Sequence, residues 1–363
     1  MKFVAPDSPA NFNMVVAEQN YFPTEPDLMA TGAAQLALQR RAAAVTRTEF
    51  GNRVFVRAVV EVSNFCRENC GYCGMRRDNR SLTRYRAKAE QIAELLIEHR
   101  PASVTDVNIQ TGEDPVAVRE VVLPLIETLR RETALGISVC LGTLSPDLYA
   151  ELQTAGAEIF IMKFESGDAL QYEQLEAPGT LAERLRHIRL LAENQWNVSS
   201  GFIAGLPGQT PRDLLKNLEL ARSLPLCGCS VSPFIPGEET PLADNPTANP
   251  DWTFNCVSAM RLMRPDWVIP AVSAFNLAAQ DGYRRGLRAG ANLVTINLTP
   301  TDQRGDYVIY KRDRFIMTEE RVLAAIAAEG LAPSQSGLAH FYRARKPVNG
   351  VAAKEVSESA IPT

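Results

Sequence analysis

The chain has 363 residues, of which 45% are hydrophobic and 22% charged, and its formal net charge is −4. A chain of this length can bury a sizeable core, either in one large α/β domain or in two smaller ones. The charge balance offers no broad basic field, so we expect a small-molecule substrate and no nucleic-acid partner. The first residues lack the apolar core of a signal peptide and no apolar run has membrane-spanning length, so we expect a cytoplasmic protein without a membrane partner.

The two ends of the chain differ in composition from the rest. Residues 1–47 are predicted to form an N-terminal extension that is polar and proline-rich at its start. Within it, residues 25–47 are rich in Ala, Leu and Arg and predict a helix. Residues 348–363 are small and charged, and we expect a flexible C-terminal tail there. The working domain is therefore predicted over residues 48–347.

Between these ends, short β-branched runs alternate with longer amphipathic segments. This alternation is typical of repeated βα units and a parallel sheet. The eight predicted strands are residues 54–62, 104–110, 137–141, 159–163, 198–203, 228–232, 267–270 and 293–296. Eight strands with helical crossovers favour a (β/α)8 barrel, the TIM barrel fold, over an open doubly wound sheet.

Three of the seven cysteines follow the first predicted strand, in the run Asn-Phe-Cys-Arg-Glu-Asn-Cys-Gly-Tyr-Cys. Cys66, Cys70 and Cys73 have a spacing that suits three irons of a [4Fe–4S] cube and leaves the fourth iron open. The alternative is a structural zinc site, which needs a fourth cysteine or histidine nearby, and the sequence offers none close to this run. In a (β/α)8 barrel this position lies at the C-terminal rim of the strands, where active sites are found.

This CxxxCxxC motif, with Tyr72 before its last cysteine, resembles the radical S-adenosylmethionine (radical SAM) superfamily. The resemblance covers residues 46–310 and is closest to the biotin synthase branch, especially to the [FeFe]-hydrogenase maturase HydE. The segments that carry it are residues 63–86, 110–115, 205–210, 232–236 and 290–300. The resemblance implies an oxygen-sensitive enzyme with a [4Fe–4S] cluster and S-adenosyl-L-methionine (SAM) as cofactors. It further implies that reductive cleavage of SAM forms a 5′-deoxyadenosyl radical.

The resemblance also implies which residues hold SAM. Gly112 and Glu113 match the segment that takes the ammonium group, and glycine permits close backbone approach. Glu165 matches a carboxylate that hydrogen-bonds SAM, and Arg184 matches the arginine that holds the SAM carboxylate with a bidentate fork. The alternative is that Glu165 and Arg184 are exposed surface charges, and that Asp114 simply caps a helix.

The resemblance points to two further groups of residues. Lys163 stands where the maturase has arginine, which keeps the charge, loses the bidentate fork and leaves an anionic or amino-acid substrate open. The residues implied to present backbone to the adenine are Gly205 and Leu206, and those implied to contact the substrate are Gln110, Cys140, Lys163, Ser273, Tyr307 and Tyr310.

Three other cysteines could hold a second metal. Cys140 lies on a predicted inner strand, where biotin synthase places cysteines for an auxiliary cluster. Cys227 and Cys229 have matching strand parity and are predicted to point to one side. The alternative for each is a free buried cysteine.

A basic run formed by Arg76, Arg77, Arg84 and Arg86 follows the cysteine motif. Near the barrel mouth it could dock an acidic electron donor of the flavodoxin or ferredoxin type, and the alternative is a set of solvated or salt-bridged arginines.

Several functions remain open on the sequence. The first is a HydE-like reaction on a small amino-acid-derived or sulfur-containing substrate. The alternatives are a methylornithine synthase-like amino-acid mutase and a biotin synthase-like sulfur insertion. A protein of a different class, which senses metal or redox state without catalysis, would use the same cysteines.

Overall fold

The computed structural model describes residues 21–312 and 316–345. The predicted tail, residues 348–363, and the start of the predicted N-terminal extension, residues 1–20, lie outside the described residues. Within the described part of the chain, no helix combines the length and the apolar character needed to cross a membrane.

Seven parallel strands form the central sheet in the order β6-β5-β4-β3-β2-β1-β7, and a short eighth strand pairs with the start of β1. The strands are β1 Arg53–Ser63, β2 Asp106–Thr111, β3 Gly136–Cys140, β4 Ile159–Ile161, β5 Asn197–Ala204, β6 Gly228–Pro233, β7 Leu293–Asn297 and β8 Ala332–Pro333.

A segment at residues 267–270 closes the sheet into a barrel. We predicted a full strand there, and the structure has only single parallel bridges, from Val268 to Gly228 of β6 and from Pro270 to Leu293 of β7. A proline has no N–H to donate to a ladder, which explains why the pairing is so short. The sheet is nevertheless continuous around the ring, and the predicted (β/α)8 barrel is confirmed.

Helices cover the outside of this barrel. They are α1 Glu25–Leu28, α2 Gly32–Phe50, α3 Ala89–Glu98, α4 Pro115–Ala117, α5 Leu123–Glu132, α6 Pro146–Ala155, α7 Ala169–Gln174, α8 Leu181–Glu193, α9 Pro211–Ser223, α10 Pro250–Met263, α11 Phe275–Ala278, α12 Gly282–Arg288, α13 Thr301–Arg304, α14 Glu319–Ala328 and α15 Leu338–Arg345. A π-helical turn, Val118–Val122, joins α4 to α5. The single helix predicted over residues 25–47 is split into α1 and α2, and α2 begins at Gly32, whose φ is +54°.

The strands divide their side chains between two environments, as β1 illustrates. Val56, Ala58 and Val60 belong to the buried core between sheet and helices. Arg57 and Glu61, on the opposite face, line a cavity inside the barrel. Because strand side chains alternate between faces, the same strand builds the hydrophobic shell and supplies polar groups to the interior.

The N-terminal end of the barrel is closed by α15. Leu338 and Tyr342 of this helix pack into an apolar cluster with barrel residues such as Phe55. The backbone N–H of Leu338 donates to both carboxylate oxygens of Asp106, each at 3.0 Å. A carboxylate at the first turn satisfies an N–H that has no partner within the helix. The barrel floor is therefore anchored to the start of β2.

Candidate active site

A cavity of about 340 Å³ extends from the C-terminal ends of the strands into the barrel. At the rim it is lined by loops that follow β1, β2 and β3, and at the other end by α15. The predicted site residues that line it are Cys66, Cys70, Tyr72, Cys73, Gln110, Gly112, Glu113, Cys140, Lys163, Glu165, Arg184, Ser273, Tyr307 and Tyr310.

The cysteines lie on a loop of residues 64–79, which we call the cysteine loop. Short backbone contacts dock it onto neighbouring loops: the N–H of Gly71 donates to Leu175 O at 2.8 Å, and that of Gly74 donates to Ile309 O at 3.0 Å. A Cβ on Gly74 would lie 2.6 Å from the carbonyl oxygen of Val308, so only glycine fits there. The chain around Tyr307 and Tyr310 thus packs directly over the loop.

Gly112 brings the end of β2 against the first cysteine. A Cβ at this position would lie 2.3 Å from Phe65 O and 2.8 Å from Cys66 Cβ. The next N–H, that of Glu113, donates to Cys66 Sγ at 3.3 Å. A backbone N–H aimed at this sulfur favours its thiolate form, and the close approach depends on the missing side chain of Gly112.

Cys70 is buried, whereas Cys66 and Cys73 are half-buried. Burial raises the pKa of Cys66 and raises that of Cys73 to about 12. Burial and the two neighbouring cysteines raise the pKa of Cys70 well above its ordinary value. Each thiol therefore needs a compensating positive charge, such as a metal centre, to ionise at neutral pH.

The separation of the sulfurs bears on the kind of metal centre. The Cys66, Cys70 and Cys73 sulfurs do not all lie within 4.8 Å of one another in the described structure. Tetrahedral zinc with bonds of about 2.3 Å holds its sulfurs about 3.8 Å apart. In a cluster, each thiolate binds a different iron and the sulfurs are further apart. Sulfurs that are not all within this distance are compatible with thiolates on separate irons.

Glu113 and Arg184 form a buried ion pair at the rim of the cavity. Arg184 Nη1 lies 3.1 Å from Glu113 Oε1 and donates to Thr143 Oγ1 at 2.6 Å. Arg67 Nη2 lies 3.2 Å from the other carboxylate oxygen, Glu113 Oε2. Burial lowers the pKa of Arg184, but Glu113, Tyr172, Tyr72 and Glu165 together raise it above its ordinary value. Arg184 is therefore charged at neutral pH.

The sequence around Arg184 explains why its side chain is buried. Thr180 and Glu183 form a capping box that begins α8, so Arg184 falls in its first turn. Ile188 and Leu191 follow on the same buried face of the helix. The buried Nε of Arg184 has no hydrogen-bond partner in the described structure, although such groups are normally paired.

Glu165 and Lys163 form a second ion pair, where the chain leaves β4. Lys163 Nζ lies 3.0 Å from Glu165 Oε2. Burial lowers the pKa of Lys163, but the Glu165 carboxylate and Tyr310 raise it above its ordinary value. Glu165 has a φ of +59°, a left-handed conformation that costs a residue other than glycine about 1 kcal/mol or more. Such strain clusters at functional sites.

Gly205 and Leu206 occupy a different position from the residues above. They are absent from the cavity lining, and Leu206 is buried in an apolar cluster with Phe234 and Ala248. Gly205 has a φ of +82°, and a Cβ there would lie 2.3 Å from Ala248 Cβ. The turn after β5 therefore has a packing reason for its glycine, and a backbone contact with the adenine remains a prediction.

The barrel interior below the rim is polar. The sequence analysis did not predict Arg57 as a site residue, because it is one charged residue within a β-branched run. It lines the cavity, and its Nε donates to Thr295 Oγ1 at 3.3 Å. Burial lowers the pKa of Arg57, and the nearby Cys140 and Asp106 oppose this shift. Together with Lys163 it gives the interior two cationic side chains.

The prediction that Cys227 and Cys229 point to one side is wrong. Among the seven cysteines, Cys140 alone joins the three motif cysteines in the cavity lining. Cys229 is buried in the main core between sheet and helices, whereas Cys227 packs against the apolar cluster at the barrel floor. Cys227 lies just before β6 begins, so strand parity does not extend to it. Cys140, Cys227 and Cys229 therefore share no common site.

The basic run after the motif is divided between internal and surface positions. Arg76 is buried and bonds Asn69 and Glu176, and Arg84 donates to backbone carbonyls. Arg86 forms a two-bond pair with Asp114, at 2.7 and 3.0 Å. Two of the four reach solvent: 60% of the Arg77 side chain and 31% of the Arg86 side chain are exposed. The alternative of salt-bridged arginines describes Arg76 and Arg86 better than a docking surface does.

The same contacts settle the position of Asp114. Its side chain makes no capping hydrogen bond to α4, although its backbone occupies the N-cap position. Instead its carboxylate accepts from Arg86 and from Ser63 Oγ, the latter at 2.7 Å. Burial raises the pKa of Asp114, but the Arg86 and Ser63 hydrogen bonds outweigh it and lower the pKa overall. Asp114 thus ties the segment after β2 to Ser63 at the end of β1 and to Arg86, which lie on either side of the cysteine loop.

Comparisons with known proteins agree with this geometry. The Radical SAM superfamily matches residues 60–221. The [FeFe] hydrogenase maturase subunit HydE of Thermotoga maritima is 31% identical over 76% of this chain and 78% of its own length. The 3-methylornithine synthase of Methanosarcina acetivorans is 27% identical over 73% of this chain and 75% of its own. A crystal structure of methylornithine synthase (PylB) shares the fold, with a TM-score of 0.78, 24% identity and coverage of 90% of this chain and 98% of that one.

Proposed function

As the chain belongs to the radical SAM superfamily, we propose that it holds a [4Fe–4S] cluster on Cys66, Cys70 and Cys73 and cleaves SAM to start radical chemistry on a small substrate. The observation that carries this proposal is that the three thiols, the Glu113–Arg184 pair and Glu165 all line one cavity that continues into the barrel. The catalytic unit in this proposal comprises residues 48–347.

The residues fit the two cofactors that the family implies. Three thiols on one loop supply soft ligands to three irons and leave the fourth iron for SAM. When bound, the cluster delivers one electron that cleaves the sulfonium of SAM and forms a 5′-deoxyadenosyl radical. The chain supplies the surroundings: Gly112 allows close approach beside Cys66, and the barrel shields the reaction from water.

The charged pairs match the charges of SAM. Its amino-acid end carries an ammonium and a carboxylate, which are complementary to Glu113 and Arg184 respectively. Arg184 Nε, buried and without a hydrogen-bond partner in the described structure, is a donor available for a ligand. Glu165 offers a carboxylate for the ribose hydroxyls or the sulfonium charge. Gly205 and Leu206 are proposed to present backbone to the adenine.

The interior favours a small substrate with an anionic group. Arg57 and Lys163 are both inside the cavity, and a carboxylate is the usual partner of such groups. Gln110, Ser273 and Tyr310 are proposed as further contacts, with Tyr307 and Cys140. These side chains suit the binding of an amino-acid-derived or sulfur-containing acid better than that of a neutral or cationic molecule.

Among specific reactions, a HydE-like one has the strongest support, because the Thermotoga maritima maturase is 31% identical over most of both chains. A methylornithine synthase-like rearrangement of an amino acid is the second candidate, supported by the 27% identity of the Methanosarcina acetivorans enzyme. A biotin synthase-like sulfur insertion at an auxiliary cluster is disfavoured, since Cys140 has no cysteine partner near it other than the motif cysteines. An external electron donor of the flavodoxin or ferredoxin type completes the proposal.

The test is anaerobic reconstitution with iron and sulfide, followed by reduction in the presence of SAM. About four irons and four sulfides per chain are expected, with 5′-deoxyadenosine and methionine as products by liquid chromatography. A variant with all three motif cysteines changed to alanine is the control and forms neither product. One zinc per chain and intact SAM would contradict the proposal and support a metal-sensing protein. Product formation is then compared with candidate amino-acid-derived acids added.

A further inference from the structure

The cysteine loop contains no helix or strand of its own in the described structure, so other contacts must fix its shape. Its backbone carbonyls converge on the guanidinium of Arg84. Nη1 donates to the carbonyl oxygens of Asn64 at 2.5 Å and Met75 at 2.9 Å. Nη2 donates to those of Arg76 at 2.7 Å and Asn79 at 3.3 Å. The four N–H bonds of the two terminal nitrogens are thereby all used.

The contact between Arg84 and Asn64 is reciprocal. The side-chain amide of Asn64 donates to Thr83 O at 2.7 Å, and its carbonyl accepts from the N–H of Tyr85 at 2.8 Å. The Asn64 side chain is therefore hydrogen-bonded to the backbone on both sides of Arg84, and the Arg84 side chain is hydrogen-bonded to the backbone of Asn64. Because Asn64 is fully buried, this pair cannot exchange its bonds for water without opening the site.

The positions of these carbonyls matter for the cysteines. Asn64 lies two residues before Cys66, and Met75 lies two residues after Cys73. The guanidinium of Arg84 therefore contacts the backbone on both sides of the cysteine motif. The charge of Arg84 also reaches the thiols: burial lowers the pKa of Arg84, and Cys66 and Cys73 raise it.

We propose that Arg84 is a positioning residue that fixes the separation of Cys66 and Cys73 and, through its charge, raises the reduction potential of the cluster that they hold. The electrostatic part rests on the proposed function, whereas the mechanical part concerns the chain alone. A fixed cation beside a cluster stabilises the reduced form, which carries one more negative charge. The electron comes from the external donor, and no bond forms or breaks in this step.

Two substitutions separate the two parts. Arg84→Lys keeps the charge but loses the planar fork, and Arg84→Met loses both. Arg77→Met is the matched control, because Arg77 belongs to the cysteine loop itself and 60% of its side chain is exposed. Circular dichroism spectra and thermal unfolding of each variant verify that the barrel is folded.

The first measurement is amide hydrogen exchange in the iron-free protein. Exchange within residues 64–79 is expected to be at least tenfold faster in Arg84→Met and Arg84→Lys than in the wild type and in Arg77→Met. The second is a redox titration of the reconstituted cluster followed by electron paramagnetic resonance. Arg84→Met is expected to show a tenfold lower ratio of reduced to oxidised cluster at a given potential, a shift of about 59 mV, with Arg84→Lys close to the wild type.

Exchange rates in Arg84→Met that equal those of Arg77→Met would overturn the mechanical part, and equal potentials would overturn the electrostatic part. A wild-type chain that assembles no cluster would overturn the proposed function and the electrostatic part with it. In that case the exchange comparison, made without iron, still decides whether Arg84 holds the loop.

Discussion

Arg184 Nη1 lies 3.1 Å from Glu113 Oε1, although the two residues are 71 positions apart and belong to different βα units. Both side chains are only 7% exposed, so solvent ions screen the attraction between the two charges only weakly. It presents a carboxylate and a guanidinium side by side at the mouth of the barrel. This is the pattern that an amino-acid group of opposite polarity would recognise.

Arg184→Met is therefore expected to weaken SAM binding at least tenfold. A hydrogen bond to a charged group is worth about 1.5–3 kcal/mol, and about 1.4 kcal/mol corresponds to tenfold in affinity. Isothermal titration of the reconstituted protein with SAM measures the change. Arg186→Met is the matched control, since Arg186 is exposed on the same helix. Equal affinities for the two variants would contradict the assignment of Arg184.

Cys73→Ala is expected to abolish stable cluster assembly, because two remaining thiolates leave two irons of the cube without protein ligands. Iron and sulfide analysis after anaerobic reconstitution, together with the absorption of the cluster in the visible range, measures the loss. Cys256→Ala is the control: this cysteine is fully buried in the core, away from the cavity. A wild-type iron content in Cys73→Ala would remove Cys73 from the ligand set.

Gly112→Ala is expected to disturb the site without changing any charged residue. The new methyl group would lie 2.3 Å from Phe65 O, so the backbone at Cys66 must move. Overpacking of this kind costs about 1–3 kcal/mol, and urea unfolding of the iron-free protein measures it. Gly305→Ala has no atom within 4 Å of its new Cβ and is expected to retain wild-type stability. Equal unfolding midpoints for Gly112→Ala and Gly305→Ala would contradict this prediction, because they would show that the cysteine loop accommodates the methyl group without loss of stability.

Asp106→Asn tests the anchor of the barrel floor through its pH dependence. Burial raises the pKa of Asp106 above its ordinary value, even though hydrogen bonds from Leu338 and Thr105 lower it. A carboxyl with a raised pKa in the folded state contributes stability that is fully present below its unfolded pKa, near 3.9, and is lost as the pH rises through the folded pKa. The free energy of unfolding of the wild type, minus that of Asp106→Asn, should therefore fall as the pH rises from 4 towards neutrality. A difference that is constant with pH, or that grows, would contradict this assignment.

Some elements were predictable because their signals are local. The alternation of β-branched residues placed the first strand at 54–62, and the structure has it at Arg53–Ser63. The segment 267–270 has a similar composition but forms only single bridges, since a strand also needs partners that can complete its ladder. Propensity indicates where a strand can form, and its neighbours decide how long it becomes.

Other features depended on contacts that no local pattern reveals. Arg84 and Arg77 belong to one basic run in the sequence, yet one is bonded to four carbonyls and the other is exposed. Arg67 was missed for the same reason, because nothing near it in the sequence indicates its contact with Glu113, 46 positions away. Arg57 had a weak signal, because it is one of two charged residues, with Glu61, on the inward face of β1.

By itself, the sequence determined that this chain forms a barrel of βα units and carries three thiols at the end of its first strand. Both properties follow from side-chain periodicity and from fixed spacing along a few residues. Only the tertiary structure decided which carboxylate meets which guanidinium, which cysteines share the cavity, and which arginine holds the cysteine loop. These outcomes depend on how distant strands align around the ring, since a hydrogen bond forms only when donor and acceptor come within about 3 Å.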